Sequence, residues 1–232
     1  MDMRSVRGVV FDLDGTLCRY AVRIDEAMAE TLDRLGLPAD ALGDLSVAAD
    51  RYNALWEQFE FARQTAGVTR AAVWGRLVEE HPSIDPRLAP QLAAAYTDIR
   101  MPSVELFPGA MDLLVALRGP YRLGLLTNGP SDMQWPKIGR LRISSRFDAI
   151  VVAGDSGIYK PDPRAFASVL ADLNLAPEHA LFVGDSLPMD IAGARGARMA
   201  SVWIRRNGQT PPPDIEPALT IDRVTDLTEV LL

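Results

Sequence analysis

The sequence predicts an α/β protein: a mostly parallel sheet with helices on both faces, and an all-helical region inserted after the first strand. Three observations predict it. Short continuous apolar runs recur along the chain, and nearly all end in carboxylate, hydroxyl or glycine residues. Helical patterns separate most of these runs, which is the alternation of a parallel sheet. Finally, a long stretch from about Cys18 to Glu105 carries helical periodicity and no convincing strand.

The first run, Val6 to Phe11, is β-branched and unbroken by polar residues, as in a strand buried on both faces. It ends in Asp12-Leu13-Asp14-Gly15-Thr16, where Gly15 permits a sharp turn. The insertion follows. Within it Leu45, Ala48, Tyr52, Leu55, Phe59 and Ala62 recur at spacings of three and four, marking one apolar helix face that reads as core rather than as a cofactor box. Further strands are expected at Tyr121 to Leu126, Ala149 to Ala153, Ala180 to Val183 and Ala200 to Ile204. Helices over Pro108 to Leu117, Pro163 to Leu173 and Pro188 to Arg195 each open near a proline, which a first helical turn tolerates. Gly119 and Gly196 stand where helix ends favour glycine. Pro211 to Pro213 reads as a stiff surface loop. The expected domains are 1–17 with 106–232 as core, and 18–105 as a helical cap.

Composition narrows the function classes. A chain of 232 residues, 48% hydrophobic and 24% charged, can bury a core without staples. Its one cysteine, Cys18, excludes an intrachain disulfide and a thiolate-rich zinc site, so a cytoplasmic setting is expected. The apolar run near the N-terminus is too short for a signal peptide or a membrane span. A net charge of −7 disfavours a nucleic-acid polymer as partner and favours a small soluble molecule.

Four clusters at expected strand ends carry candidate chemistry. Asp12 and Asp14 lie two apart on an extended chain, so both carboxylates leave on one side, and Thr16 offers a hydroxyl to brace them. Asp-Gly is also a common turn pair. Thr127-Asn128-Gly129 can cradle an anion through a hydroxyl and loop amides, although it is an ordinary turn sequence as well. Lys160 is followed by two prolines, Pro161 and Pro163, that stiffen its surroundings, while lone lysines are usually solvated. Gly184-Asp185 and Asp190 bring two more acids to the same sheet edge, and Asp190 either braces a helix start or ligates. Four carboxylates against one lysine require a divalent cation, and hard oxygen ligands favour Mg²⁺.

These four clusters together, in this order, resemble the motifs of the haloacid dehalogenase superfamily. The resemblance spans nearly the whole expected core. It implies a Rossmann-like core with an inserted helical cap and a phosphatase acting on a small phosphorylated metabolite. In that pattern Asp12 is the nucleophile forming an aspartyl-phosphate, and Asp14 protonates the leaving alcohol and later activates water. Thr127 and Lys160 stabilise the transferring group, with Asn128 and Gly129 at the phosphate. The metal is held by Asp12, the backbone carbonyl of Asp14, and Asp185, with Gly15, Thr16, Gly184 and Asp190 in support. An acid catalyst must hold a proton near neutrality, so Asp14 is expected to have a raised pKa.

Superfamily dehalogenases lack the second aspartate, and phosphomutases add a cap acid for which no matching histidine or lysine is found; His81 and His179 read as surface residues. A phosphoacceptor receiver domain or a silent binding protein are the non-enzymatic alternatives. Thr-Asn-Gly followed by Gln134 and Lys137, with Val202-Trp203-Ile204-Arg205-Arg206-Asn207-Gly208, resembles pyrimidine 5′-nucleotidases and N-acylneuraminate-9-phosphatases. Arg19, Arg23, Arg51 and Arg63 are candidates to read a second anionic group of the substrate. A monomer or homodimer is expected.

Overall fold

A computed structural model of the chain describes residues 3–61, 69–206, 210 and 215–232. The side chain of Phe59, and Ala62, Arg63, Asn207, Gly208 and Pro211 to Pro213 of the sequence reading, lie outside the described residues. In chain order the elements are β1 (Gly8–Phe11), β2 (Cys18–Tyr20), α1 (Ile24–Arg34), α2 (Leu45–Phe61), α3 (Arg70–Glu79), α4 (Ala89–Arg100), β3 (Val104–Leu106), α5 (Ala110–Leu117), β4 (Arg122–Thr127), α6 (Ser131–Leu141), β5 (Ala149–Val152), α7 (Ala153–Ser156), α8 (Pro163–Leu173), β6 (Ala180–Gly184), α9 (Ala192–Gly196), β7 (Ala200–Ile204), β8 (Leu219–Ile221) and α10 (Leu227–Leu231).

Six strands form one sheet in the order β5-β4-β1-β6-β7-β8, every pairing parallel. β1 lies at the centre, and all four of its residues are buried, as its unbroken apolar run requires. Val9 is opposite Leu123 of β4 and Leu181 of β6, so the carboxyl ends of β4, β1 and β6 lie side by side. Asp162 caps α8, its side chain accepting from the Arg164 N–H at 2.9 Å with Pro163 at the first helical position. α8 buries Phe166, Val169 and Leu173 against Val10, Leu126 and Phe182 of the sheet.

Three expectations need correction. The stretch 18–105 contains strand after all: β2 and β3 pair as a separate two-stranded sheet. The helix expected over Pro188 to Arg195 is instead a π turn at Leu187–Ile191 that runs into the short α9. The sheet also gains β8, a three-residue edge strand absent from the sequence reading.

The chain divides into two compact units, Met1–Arg19 with Glu105–Leu232, and Tyr20–Val104. The second is helical and has its own core, in which Trp74, Tyr96, Met28, Leu32, Leu77 and Leu92 are fully buried. Thr69 caps α3 by accepting from the Ala72 N–H. Ala48, Tyr52 and Leu55 of the predicted stripe join this core and Leu45 packs against it. Among the described residues no helix is long and apolar enough to cross a membrane.

Candidate active site

The loop after β1 begins at Asp12, whose N–H donates to Val183 O of β6 and so continues the strand pairing one residue past the sheet. Gly15 then takes φ of +79°, the left-handed region that favours glycine. It has a second constraint: a Cβ here would collide with the carboxylate of Asp185. The loops after β1 and β6 therefore approach closely because one of them carries no side chain at the point of contact.

Lys160 is the electrostatic centre. It is 2% exposed, and its Nζ donates to Asp12 Oδ1 at 2.7 Å and Asp190 Oδ1 at 2.6 Å. Burial alone would lower its pKa, but the charges of Asp12 and Asp190 outweigh burial and raise it. The lysine is held from behind by Asn128, whose Oδ1 accepts from the Lys160 N–H at 2.9 Å while its Nδ2 donates to Lys160 O at 3.1 Å. The Asn128 side chain is thus committed to placing Lys160. Asp190 spends its other oxygen on the Ser186 N–H at 2.9 Å, so it braces the turn as well as facing the lysine.

Asp12, Asp185 and Asp190 each present a carboxylate oxygen within 4.8 Å of the others. Burial first, then the charge of Asp190, pushes Asp185 up to about 7, and burial likewise raises Asp12 despite Lys160. A concentration of buried negative charge that one ammonium leaves under-compensated, made only of hard oxygen donors, fits a divalent cation such as Mg²⁺. Trp203 Nε1 donates to Asp185 O at 2.9 Å and holds that loop in place.

Asp14 corrects a further expectation. Burial works to raise its pKa, but the Lys137 ammonium and the hydrogen bonds of Lys137 and Gln134 prevail, and the net direction is down. Lys137 Nζ lies 2.8 and 2.7 Å from the two Asp14 oxygens, with 4% of the lysine side chain and 40% of the aspartate side chain exposed. Gln134 Nε2 reaches Asp14 Oδ2 at 3.0 Å, Thr127 Oγ1 at 2.8 Å and Asn128 O. Gln134 and Lys137 are three apart on α6, hence on one helix face. Sequence reasoning noted this pair only as part of a resemblance; their spacing directly after the Thr127 strand was the available signal.

Thr127 is buried at the end of β4, and its hydroxyl is engaged by Gln134 and donates to Asn128 O at 3.2 Å. Gly129, at φ +113°, lies against the Gln134 side chain. Thr16 is fully buried but its Oγ1 finds no partner, so it does not brace the carboxylates as expected. Gly184 lies against Asp190, where a Cβ would collide. Arg206, noted only within a motif, donates from Nε and Nη2 to Gly15 O and stacks on Phe107 at 4.3 Å. The arginines suggested as readers of a second anion are matched to acids: Arg19 to Glu105, Arg23 to Asp25 and Arg51 to Glu80. His179 is exposed and His81 half-buried, its Nδ1 2.7 Å from Leu77 O.

The family model described as haloacid dehalogenase-like hydrolase matches residues 6–198. Phosphoserine phosphatase from Thermus thermophilus is 35% identical over 200 residues, covering 84% of this chain and 76% of that protein. Glyceraldehyde 3-phosphate phosphatase from Methanopyrus kandleri is 30% identical over 232 residues, 97% of each chain. The crystal structure of the HAD-hydrolase YfnB from Bacillus subtilis, bound to magnesium, is similar at a TM-score of 0.77 and 25% identity, covering 97% of this chain and 98% of that one. With a family match over most of its length and relatives at this identity, the chain belongs to the haloacid dehalogenase-like hydrolases.

Proposed function

We propose that this hydrolase is a Mg²⁺-dependent phosphomonoesterase acting on a small phosphorylated metabolite, with residues 1–19 and 105–232 as catalytic core and 20–104 as cap. The observation that carries the reading is the meeting of Asp12 and Asp185, just past the adjacent strands β1 and β6, with Asp190 of the following turn and Lys160 of the loop before α8, and with Asp14 two residues from Asp12. Open α/β sheets bind ligands at this edge. The similarity to phosphatases, and the presence of Asp14, favour phosphate transfer over dehalogenation.

In the proposed reaction an Asp12 oxygen attacks phosphorus. The bond from phosphorus to the ester oxygen breaks, and Asp14 gives its proton to the departing alkoxide, leaving an aspartyl-phosphate. Asp14 next takes a proton from water, whose oxygen attacks phosphorus; the bond to Asp12 breaks and orthophosphate leaves. Lys160 neutralises charge on the transferring group, and the Thr127 hydroxyl stands at the edge of the same site. Asp12, Asp185 and the Asp14 carbonyl would hold Mg²⁺, which supplies further charge neutralisation when bound.

Asp14 needs a proton for the first step, whereas Lys137 favours its ionised form. An arriving phosphate dianion acts against Lys137 and raises the affinity of Asp14 for a proton. Lys137 and Gln134 therefore set a carboxylate that is ionised at rest and takes up a proton when substrate is present.

The test is a panel of phosphate monoesters with Mg²⁺, comparing the parent chain with Asp12→Asn. Hydrolysis is expected to fall by at least about a thousandfold, as when a covalent nucleophile is removed. Undiminished turnover by Asp12→Asn would sink the mechanism, and undiminished turnover in chelator would remove the metal.

A further inference from the structure

The helical unit contains two inward-facing arginines that its described residues leave without an ion pair. Arg70, at the start of α3, is nine-tenths buried, with its Cζ 5.4 Å from the centre of the Tyr96 ring. Arg100, at the end of α4, sits 5.6 Å from the same ring and 4.1 Å from that of Tyr20. Trp74, fully buried, meets Tyr96 edge-on at 5.4 Å. The arginines hydrogen-bond only to hydroxyls among the described residues, Arg70 to Thr97 at 2.7 Å and also to Tyr20, and Arg100 to Tyr96 at 2.8 Å. Neither makes an ion pair among the described residues.

Three N–H groups around Tyr96 have no acceptor among the described residues: Arg70 Nε, Trp74 Nε1 and Arg100 Nε. All three can only donate. Aromatic faces offset part of the charge, and the hydroxyls of Tyr20, Tyr52 and Tyr96 can accept, yet none of these groups carries a full negative charge. Water could accept these bonds but carries no charge, and buried charge is costly unless paired. The stretch 62–68, outside the described residues, contains no acidic residue. The arginines elsewhere in this unit that sequence reasoning had picked out, Arg23 and Arg51, are by contrast fully occupied by acids.

We infer that Arg70, Trp74 and Arg100, grouped about Tyr96, form a binding site for an oxyanion, a carboxylate or a phosphate. Such a group brings negative charge and two or three acceptor oxygens, which is what the three donors and two guanidinium groups lack. The oxyanion is a small anion bound by this unit; on the phosphatase reading proposed above, an anionic group of a substrate is its other source, and the experiment separates the two.

The experiment uses the full chain with Mg²⁺. Apparent affinity for malonate is measured from thermal melting against chloride at matched ionic strength, in the parent, Arg70→Gln, Arg100→Gln, Trp74→Phe and Arg70→Lys. The parent is expected to be stabilised saturably, and each glutamine variant to weaken the affinity by roughly tenfold or more, the scale of one lost charge-assisted contact. Trp74→Phe and Arg70→Lys keep the bulk and the charge respectively, and a weakened affinity in these carries the test should a glutamine variant fail to fold. No stabilisation of the parent, or equal stabilisation of all variants, would overturn the site. Glu60 is an acidic residue of the unit whose side chain lies outside the described residues; a large gain in affinity on Glu60→Gln would show that the site is filled from within and also overturn it. The source is then read from the ratio of kcat/KM for O-phosphoserine to phosphoethanolamine, which differ by one carboxylate. A ratio that falls in the arginine variants places the oxyanion on the ester, and an unchanged ratio with lost malonate binding makes the ligand a free anion. Malonate binding in a chain that hydrolyses no phosphate ester would leave the site standing and refute the phosphatase reading alone.

Discussion

Replacing Lys160 by Met tests whether the catalytic edge is an electrostatic arrangement or a packed one. The substitution keeps an unbranched side chain of similar length, so the loss is chiefly the ammonium. In the parent that ammonium contacts Asp12 at 2.7 Å and Asp190 at 2.6 Å, with all three groups nearly excluded from water. Removing one member of a buried ion cluster leaves the others uncompensated and costs about 3 to 5 kcal/mol. For a chain of this size that corresponds to a fall in melting temperature of about 6 to 20 °C. Lys160 itself has a raised pKa, so in the parent its contribution is complete below its ordinary value of 10.5 and is lost only above that. Any pH dependence of the deficit near neutrality therefore belongs to Asp12, which burial holds above its ordinary value: protonation relieves its penalty, so the deficit is smaller at about pH 5 than at about pH 8. On the metal reading proposed above, Mg²⁺ would supply positive charge at the same oxygens and should recover part of the loss. The assay is calorimetric melting of parent and variant at both pH values, with chelator and with Mg²⁺. A variant that melts within about 2 °C of the parent in all four conditions would refute the claim that charge balance holds these strand ends together.

Three further outcomes follow from the site. In the metal-free chain Asp185 is pushed up to about 7, above its ordinary 3.8, so the folded state holds a proton that the unfolded chain releases and stability falls as pH rises through that window; melting with chelator should show it, and the gain from Mg²⁺ should increase with pH. Gly15→Ala places a methyl group on the Asp185 carboxylate at a backbone conformation that alanine disfavours, and titration calorimetry should show Mg²⁺ binding weakened by about tenfold or more. Lys137→Met removes the charge that holds Asp14 down, so every limb of the pH profile of kcat/KM that Asp14 sets should move to higher pH; a profile that stays in place assigns those limbs to another group.

The legible part of this protein was its central sheet. β1, β4, β6 and β7 are apolar runs buried almost throughout, and β5 is an apolar edge run half-buried at Ile150 and Val151, so polar alternation is missing and such runs announce themselves. β2, β3 and β8 are three residues each and carry exposed positions, so nothing in Cys18-Arg19-Tyr20 or Leu219-Thr220-Ile221 separates strand from loop. At the site, residue types at strand ends could be read, while their pairings could not. Asp14 was expected to rise because an acid catalyst needs a proton near neutrality; Lys137, which prevents it, reaches Asp14 from a helix more than a hundred residues later. The same limit hid Arg70 and Arg100. A sequence shows where charge is, and only the fold shows which charges have been left without an opposite.

The pairing of β2 with β3 has a consequence for how such chains diversify. Entry and exit of Tyr20–Val104 run side by side as hydrogen-bonded strands, so the sheet-bearing unit is interrupted at a single narrow stem rather than at two distant points. Closing a longer or shorter excursion on a stem of fixed width changes the entropic cost only slowly with length. The helical insert can consequently be exchanged, enlarged or trimmed while the register of the six-stranded sheet is left alone, which makes this stem a natural splice point for grafting new helical inserts.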